Sequence, residues 1–155
     1  MRFRITGLDA GPFLPLYGLS DEALAARGVR RLRADEPHSF PDRIELRDAE
    51  PGETVLLLNH TYLDVPTPYR GTHAIFVREG ATERYDAVNE VPDALRRRLL
   101  SARAFDDAGM MVDAEVVDGR ELEGLLEKLF AHPQVAYVQL HHARRGCYAA
   151  RVERA

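Results

Sequence analysis

One cysteine, one lysine and no long apolar run are what this chain withholds. Among its 155 residues, Cys147 is the only cysteine and Lys128 the only lysine. A single cysteine excludes an internal disulfide framework and fits a reducing compartment. The opening MRFRITGLDAGPF has no apolar stretch long enough for a signal peptide or a membrane span, so a cytoplasmic location and no membrane partner are expected. No repeat, low-complexity tract or linker divides the sequence. One domain over residues 1–155 is therefore expected, large enough to bury a core without staples. Gly7 and Gly11 do not make a phosphate loop, since neither GxGxxG nor GxxxxGK occurs. HExxH and CxxC are absent too, and the reading assigns no cofactor and no metal.

What is present is ordinary for a globular protein. A net charge of −4 argues against a dedicated nucleic-acid partner. All but one of the 21 basic residues are arginine, a bias that fits a GC-rich genome. It nonetheless supplies many planar forks that match carboxylate or phosphate.

Local patterns predict the elements. Phe3 to Thr6 reads as a strand. Ser20 caps a helix running to about Arg27, with Asp21 and Glu22 at its favourable end and Gly28 as the stop. Val29 to Arg33 and Arg43 to Arg47 are candidate strands around a loop from Asp35 to Pro41. Val55 to Leu58 is a continuous aliphatic run, expected as a central strand, and Ala74 to Val77 is similar. Pro92 opens a short helix with Leu95 and Leu99 inward. Arg96, Arg97 and Arg98 spread around that helix without forming one basic stripe.

Ser101 to Phe105 and Met110 to Val117 form a hairpin about Asp106–Gly109, with Arg103 placed opposite Asp113. Asp118 and Glu121 frame a capping box before a helix bearing Leu122, Leu125, Leu126, Leu129 and Phe130 on one stripe. Pro133 marks its end. The sum is an α+β fold: a mostly antiparallel sheet, single-layered or partly closed, with two or three helices.

The richest stretch is VAYVQLHHARRGCYAARVERA, from Val135 to Ala155. It reads as a hairpin with a type I turn at Ala143–Gly146 and a glycine bulge at Gly146. That register sets Val138 opposite Val152, Leu140 opposite Ala150, His142 opposite Tyr148 and Ala143 opposite Cys147. His141 and Cys147 then share a face as diagonal neighbours, a nucleophile beside a base. The competing reading is a small packed side chain, with slow alkylation expected.

The second candidate is the segment Thr61 to Gly71, TYLDVPTPYRG, which Pro66 and Pro68 stiffen. Tyr62, Asp64, Tyr69 and Arg70 project from it, and Arg70 suits bidentate anion binding. His60 and His73 flank it, and with His141 they offer imidazoles, though not at zinc-motif spacing. His38 and His132 lie in loops beside prolines. The expected pocket lies between the 61–71 loop and the terminal hairpin. There Arg70 would hold a small anionic ligand, Tyr69 would pack on it, and His73 and His141 would donate to it. Two alternatives stay open: an enzyme with Cys147 as nucleophile and His141 as base, or an interaction protein whose strand edges are covered by homodimerisation.

The strings RITGLD, DAEPGETVLLLNH, PYRGTHAIFVREG, MMVDAEVVDG and HHARRGCYAARVER together resemble the bacterial family called domain of unknown function 1203. The resemblance covers nearly the whole chain and implies a small bacterial protein. It carries no assigned reaction, cofactor or catalytic residue. It also implies a cysteine after the proline of FPDRIEL, where this chain has Asp42, which puts a two-thiol mechanism in doubt here.

Overall fold

The computed structural model describes all residues from Met1 to Ala155. In chain order the elements are β1 (Phe3–Thr6), α1 (Asp21–Ala25), β2 (Arg30–Arg33), β3 (Thr54–Leu63), β4 (Gly71–Arg78) and β5 (Asp86–Val88). There follow α2 (Asp93–Arg96), β6 (Leu99–Phe105), β7 (Met111–Asp118), α3 (Leu122–Phe130), β8 (Tyr137–His142) and β9 (Tyr148–Arg154). The strands divide between two open sheets, ordered β5-β1-β9-β8-β6-β7 and β2-β3-β4, with every named strand pairing antiparallel. The protein is α+β, with most of its regular structure in strands.

The cores follow from the sequence pattern. The leucine stripe of α3 is buried on the six-stranded sheet, where Leu122, Leu126 and Leu129 meet Leu100, Val138, Leu140 and Val152 in the largest apolar cluster. Beside the three-stranded sheet, Leu56, Leu58, Ile75 and Val77 gather with Leu24 of α1 and Phe13. A third contact joins the sheets. Leu63, at the end of β3, meets Phe105 and Tyr137, and Gln139 donates to the Tyr62 carbonyl at 2.8 Å. Covered on both faces, β8 buries all six of its residues, polar Gln139 and His141 included.

Several sequence-level expectations hold in detail. Ser20 Oγ accepts from the Ala23 amide at 3.1 Å, and Gly28, Gly109 and Gly146 all take positive φ. Four need correction. Leu99 does not lie inward on the Pro92 helix: α2 ends at Arg96, and Leu99 opens β6 as an exposed residue. Arg43 to Arg47 is a turn, not a strand. The Asp42 carboxylate accepts from the Glu45 amide at 2.6 Å and from the Arg78 amide of β4 at 2.7 Å, folding the segment back, and Leu46 sits at φ 52°. The 61–71 loop is shorter than expected, because β3 continues to Leu63 and β4 begins at Gly71. In the β6–β7 hairpin, Arg103 faces Ala114 and not Asp113, because an irregularity between Ala104 and Phe105 shifts the pairing by one residue.

Candidate functional site

The terminal hairpin follows the expected register only through its core half. Val138 pairs with Val152, Gln139 with Arg151 and Leu140 with Ala150, and then His141 pairs with Tyr148. Ala149 is the extra residue, a β-bulge, and one inserted residue inverts the face of everything between it and the turn. His142 donates its amide to the Cys147 carbonyl at 2.8 Å, closing a four-residue turn from Ala143 to Gly146. The tip is therefore sorted differently from the expectation. Tyr148 joins His141, their rings 5.8 Å apart, and Cys147 joins His142.

Cys147 and His142 line a cleft of about 750 Å³ between this hairpin, the Arg97–Leu99 segment and the residues around Pro41. Its walls hold five arginines (Arg43, Arg97, Arg98, Arg144 and Arg145) and two histidines, His38 and His142, and no carboxylate. In a chain with net charge −4, that is a strong local inversion of sign.

The arginines differ in what they have left to offer. Arg98 is a fork on Asp48, at 2.6 and 3.1 Å, and also donates to the carbonyls of Ala94 and His38. Arg97 pairs with Asp93 on its own helix at 2.5 Å. Arg144 and Arg145 sit exposed in the turn, and neither forms an ion pair or side-chain hydrogen bond within the chain.

Arg43 is the unusual one, with only 2% of its surface exposed. It donates through Nε to the Tyr148 carbonyl at 2.7 Å, through Nη1 to the Pro41 carbonyl, and through Nη2 to Cys147 Sγ at 3.1 Å. No carboxylate bonds to it, and three of its five N–H donors are used. Burial pushes its pKa down from the ordinary arginine value, against which the neighbouring Cys147 sulfur and the Asp42 charge support the cation. Guanidinium does not give up its proton in proteins, so a permanent charge is held here beside sulfur.

The backbone that places Arg43 is fixed from three sides. Its carbonyl accepts from the Leu8 amide at 2.7 Å, its amide donates to the Phe76 carbonyl at 3.2 Å, and Tyr85 donates to the Ile44 carbonyl at 2.8 Å.

His142 is the other anomaly. It is 7% exposed, and its Nδ1 is buried with no hydrogen-bond partner. Burial, then the charges of Arg43 and Arg98, push its pKa down to about 2, so the ring is neutral. Buried polar atoms are nearly always satisfied, and this nitrogen is the exception in the chain.

The residues expected to build the site from sequence lie elsewhere, Cys147 excepted. Arg70 is exposed and paired with Asp64 at 3.0 Å. Tyr69 is turned onto Phe105, ring centroids 6.1 Å apart. His73 is exposed, its Nδ1 2.9 Å from the Ala74 carbonyl. His141 is fully buried between the Gly146 carbonyl and the Gln139 amide oxygen, with Tyr62 edge-on at 4.9 Å. Burial pushes its pKa down to about 4, so the neutral ring donates through one nitrogen at a time. The 61–71 side thus meets the hairpin through stacked rings. His60, opposite His73 in the β3–β4 register, packs at a tilt against Tyr148, ring centroids 5.9 Å apart, and no group of three or more metal-capable side chains comes together.

Arg43 escaped sequence reading because it fell within an apparent strand. His142 escaped because the bulge that turns it toward Cys147 has no signature in AARV. The adjacent Arg144 and Arg145 beside a glycine turn were the one visible signal.

Fold and cleft together define an α+β protein with an arginine-lined cleft built around a lone cysteine. The chain belongs to the family described as Protein of unknown function (DUF1203), whose pattern matches residues 39–154, a span that includes every cleft-lining residue except His38. No curated protein and no solved structure matches it.

Proposed function

We propose that this protein binds a small, multiply charged anion in the Arg43–Cys147 cleft, as a cytoplasmic bacterial protein. The observation that carries the reading is the lining: five arginines, two histidines and no acid. Arg97 and Arg98 already have carboxylate partners, so the free charge is that of Arg144, Arg145 and buried Arg43. Arg144 and Arg145 suit bidentate capture of carboxylate or phosphate oxygens at the mouth. His142 lines the same cleft deeper in. A cleft of about 750 Å³ falls within the usual range for small-molecule sites, roughly 300–1,000 Å³.

Calorimetric titration with citrate and with inorganic phosphate tests this. Binding is expected for the natural chain, and an Arg144→Ala/Arg145→Ala double variant should weaken it at least tenfold, about 1.4 kcal/mol. Both residues are exposed in a turn, so the fold should tolerate the change. Absence of binding by either anion, or equal binding by the double variant, overturns the reading.

A further inference from the structure

We infer that the cleft takes an aromatic anion, a phosphate or carboxylate carried on a flat apolar ring with few hydroxyl or amino groups. This rests on the anion-binding reading and names the class of ligand within it.

Three observations converge. The first is room. The cleft measures about 750 Å³, and a bare phosphate or citrate fills only part of it. Sites of that size ordinarily enclose most of a drug-sized molecule.

The second is apolar surface set among the arginines. Leu99, 48% exposed, and half-buried Phe76 both line the cleft. Leu99 is tied to the mouth, because its carbonyl accepts from the Ala143 amide at 3.0 Å, one residue before Arg144. Phe76 is tied to Arg43, whose amide donates to the Phe76 carbonyl at 3.2 Å. The Phe76 ring rests on Phe40, centroids 5.3 Å apart. Each apolar side chain is thus a hydrogen-bonded neighbour of a cation-bearing segment. A ring suits that mixture, since guanidinium planes also stack on aromatic faces.

The third is a shortage of acceptors. The lining contains no aspartate, glutamate, asparagine or glutamine. Its carbonyls are already engaged. Those of Phe76, Leu99 and Cys147 accept from backbone amides, that of Pro41 from Arg43 and that of His38 from Arg98. Ser39 turns its hydroxyl to the Pro37 carbonyl at 3.3 Å. Hydroxyl and amino donors of a ligand would therefore lose water here without gaining partners. A protonated amine would also meet the positive charge of five arginines. A ring bearing only its acidic group avoids both costs. Its oxygens meet Arg144 and Arg145, and its faces meet Leu99 and Phe76.

Calorimetric titration of the full chain compares phenyl phosphate with glycerol phosphate, which share the charged group and differ in the body it carries. Expected is tighter binding of phenyl phosphate by ~10-fold or more, which burial of roughly 60 Å² of apolar surface supplies. Leu99→Ser, at an exposed position, should shrink that ratio by about threefold or more, whereas Leu99→Met should keep it. The Arg144→Ala/Arg145→Ala variant should weaken both ligands together and leave their ratio in place. Equal binding of the two by the natural chain, while citrate or phosphate still binds, overturns the aromatic class and leaves the anion reading standing. A ratio that Leu99→Ser leaves intact overturns it too. No binding of phenyl phosphate, inorganic phosphate or citrate overturns both.

Discussion

Arg43 shows how a single side chain can set a site's character before any ligand arrives. A buried cation normally claims a carboxylate, and the nearest one, Asp42, is bonded instead to the backbone amides of Glu45 and Arg78. That leaves Cys147 as the polar side chain on which Arg43 depends. Cys147→Val should strand an N–H donor in the interior and cost roughly 1–3 kcal/mol in urea denaturation. Cys147→Ser, which keeps an acceptor, should cost less. The two buried histidines give a separate signature. His142 and His141 have pKa values near 2 and 4 against 6.5 when exposed, so folding keeps both neutral. The unfolded chain then binds protons first as pH falls. Their contribution is whole above pH 6.5 and is lost as pH drops toward the folded values. Glu53 and Glu79, held down to about 2 by Arg47 and Arg31, lose theirs only below 4.5. Melting temperature should therefore already decline between pH 6.5 and 4.5, and His142→Asn should flatten that decline.

Individual elements were legible in the sequence where one physical rule dominated. The α3 stripe, the Ser20 cap and the positive-φ glycines each follow from local chemistry, and each is where the pattern put it. What could not be read depended on distant partners. The 41–47 turn alternates like a strand, yet it is shaped by amides and carbonyls of Leu8 just past β1, of β4 and of the stretch before β5. Loop 61–71 looked like a gripping loop because nothing local reveals that Tyr62 stacks on the hairpin. Gly7 exposes this long-range dependence to experiment. A methyl group there would lie 2.1 Å from the Ile44 carbonyl oxygen. Gly7→Ala should displace the Arg43 segment, costing about 2 kcal/mol or more. It should weaken citrate binding as well, although Gly7 does not line the cleft.

Across the whole molecule, charge is distributed against the average. The chain is acidic in sum, while the Arg43–Cys147 cleft is cationic. Attraction of an anion to the exposed Arg144 and Arg145 should therefore be screened by added salt. Raising ionic strength from about 0.01 to 0.15 M shortens the Debye length from roughly 30 to 8 Å. Citrate affinity should fall over that range in calorimetric titrations, while glycerol, an uncharged control, shows no comparable dependence. The cleft takes its walls from both halves of the fold. Phe76 belongs to the three-stranded sheet, whereas Leu99, His142 and Cys147 belong to or flank strands of the six-stranded one.

The bulge at Ala149 separates two jobs along one strand. Below it, Val152 and Ala150 obey the period-two rhythm that the leucines of α3 demand. Above it, the rhythm restarts with the opposite phase, so the identity of residues 142–148 is released from the pattern that builds the core. Such a phase break gives the hairpin tip latitude. Cysteine, histidine or arginine there can be substituted, changing what the cleft accepts, without rewriting the strand that holds the protein together.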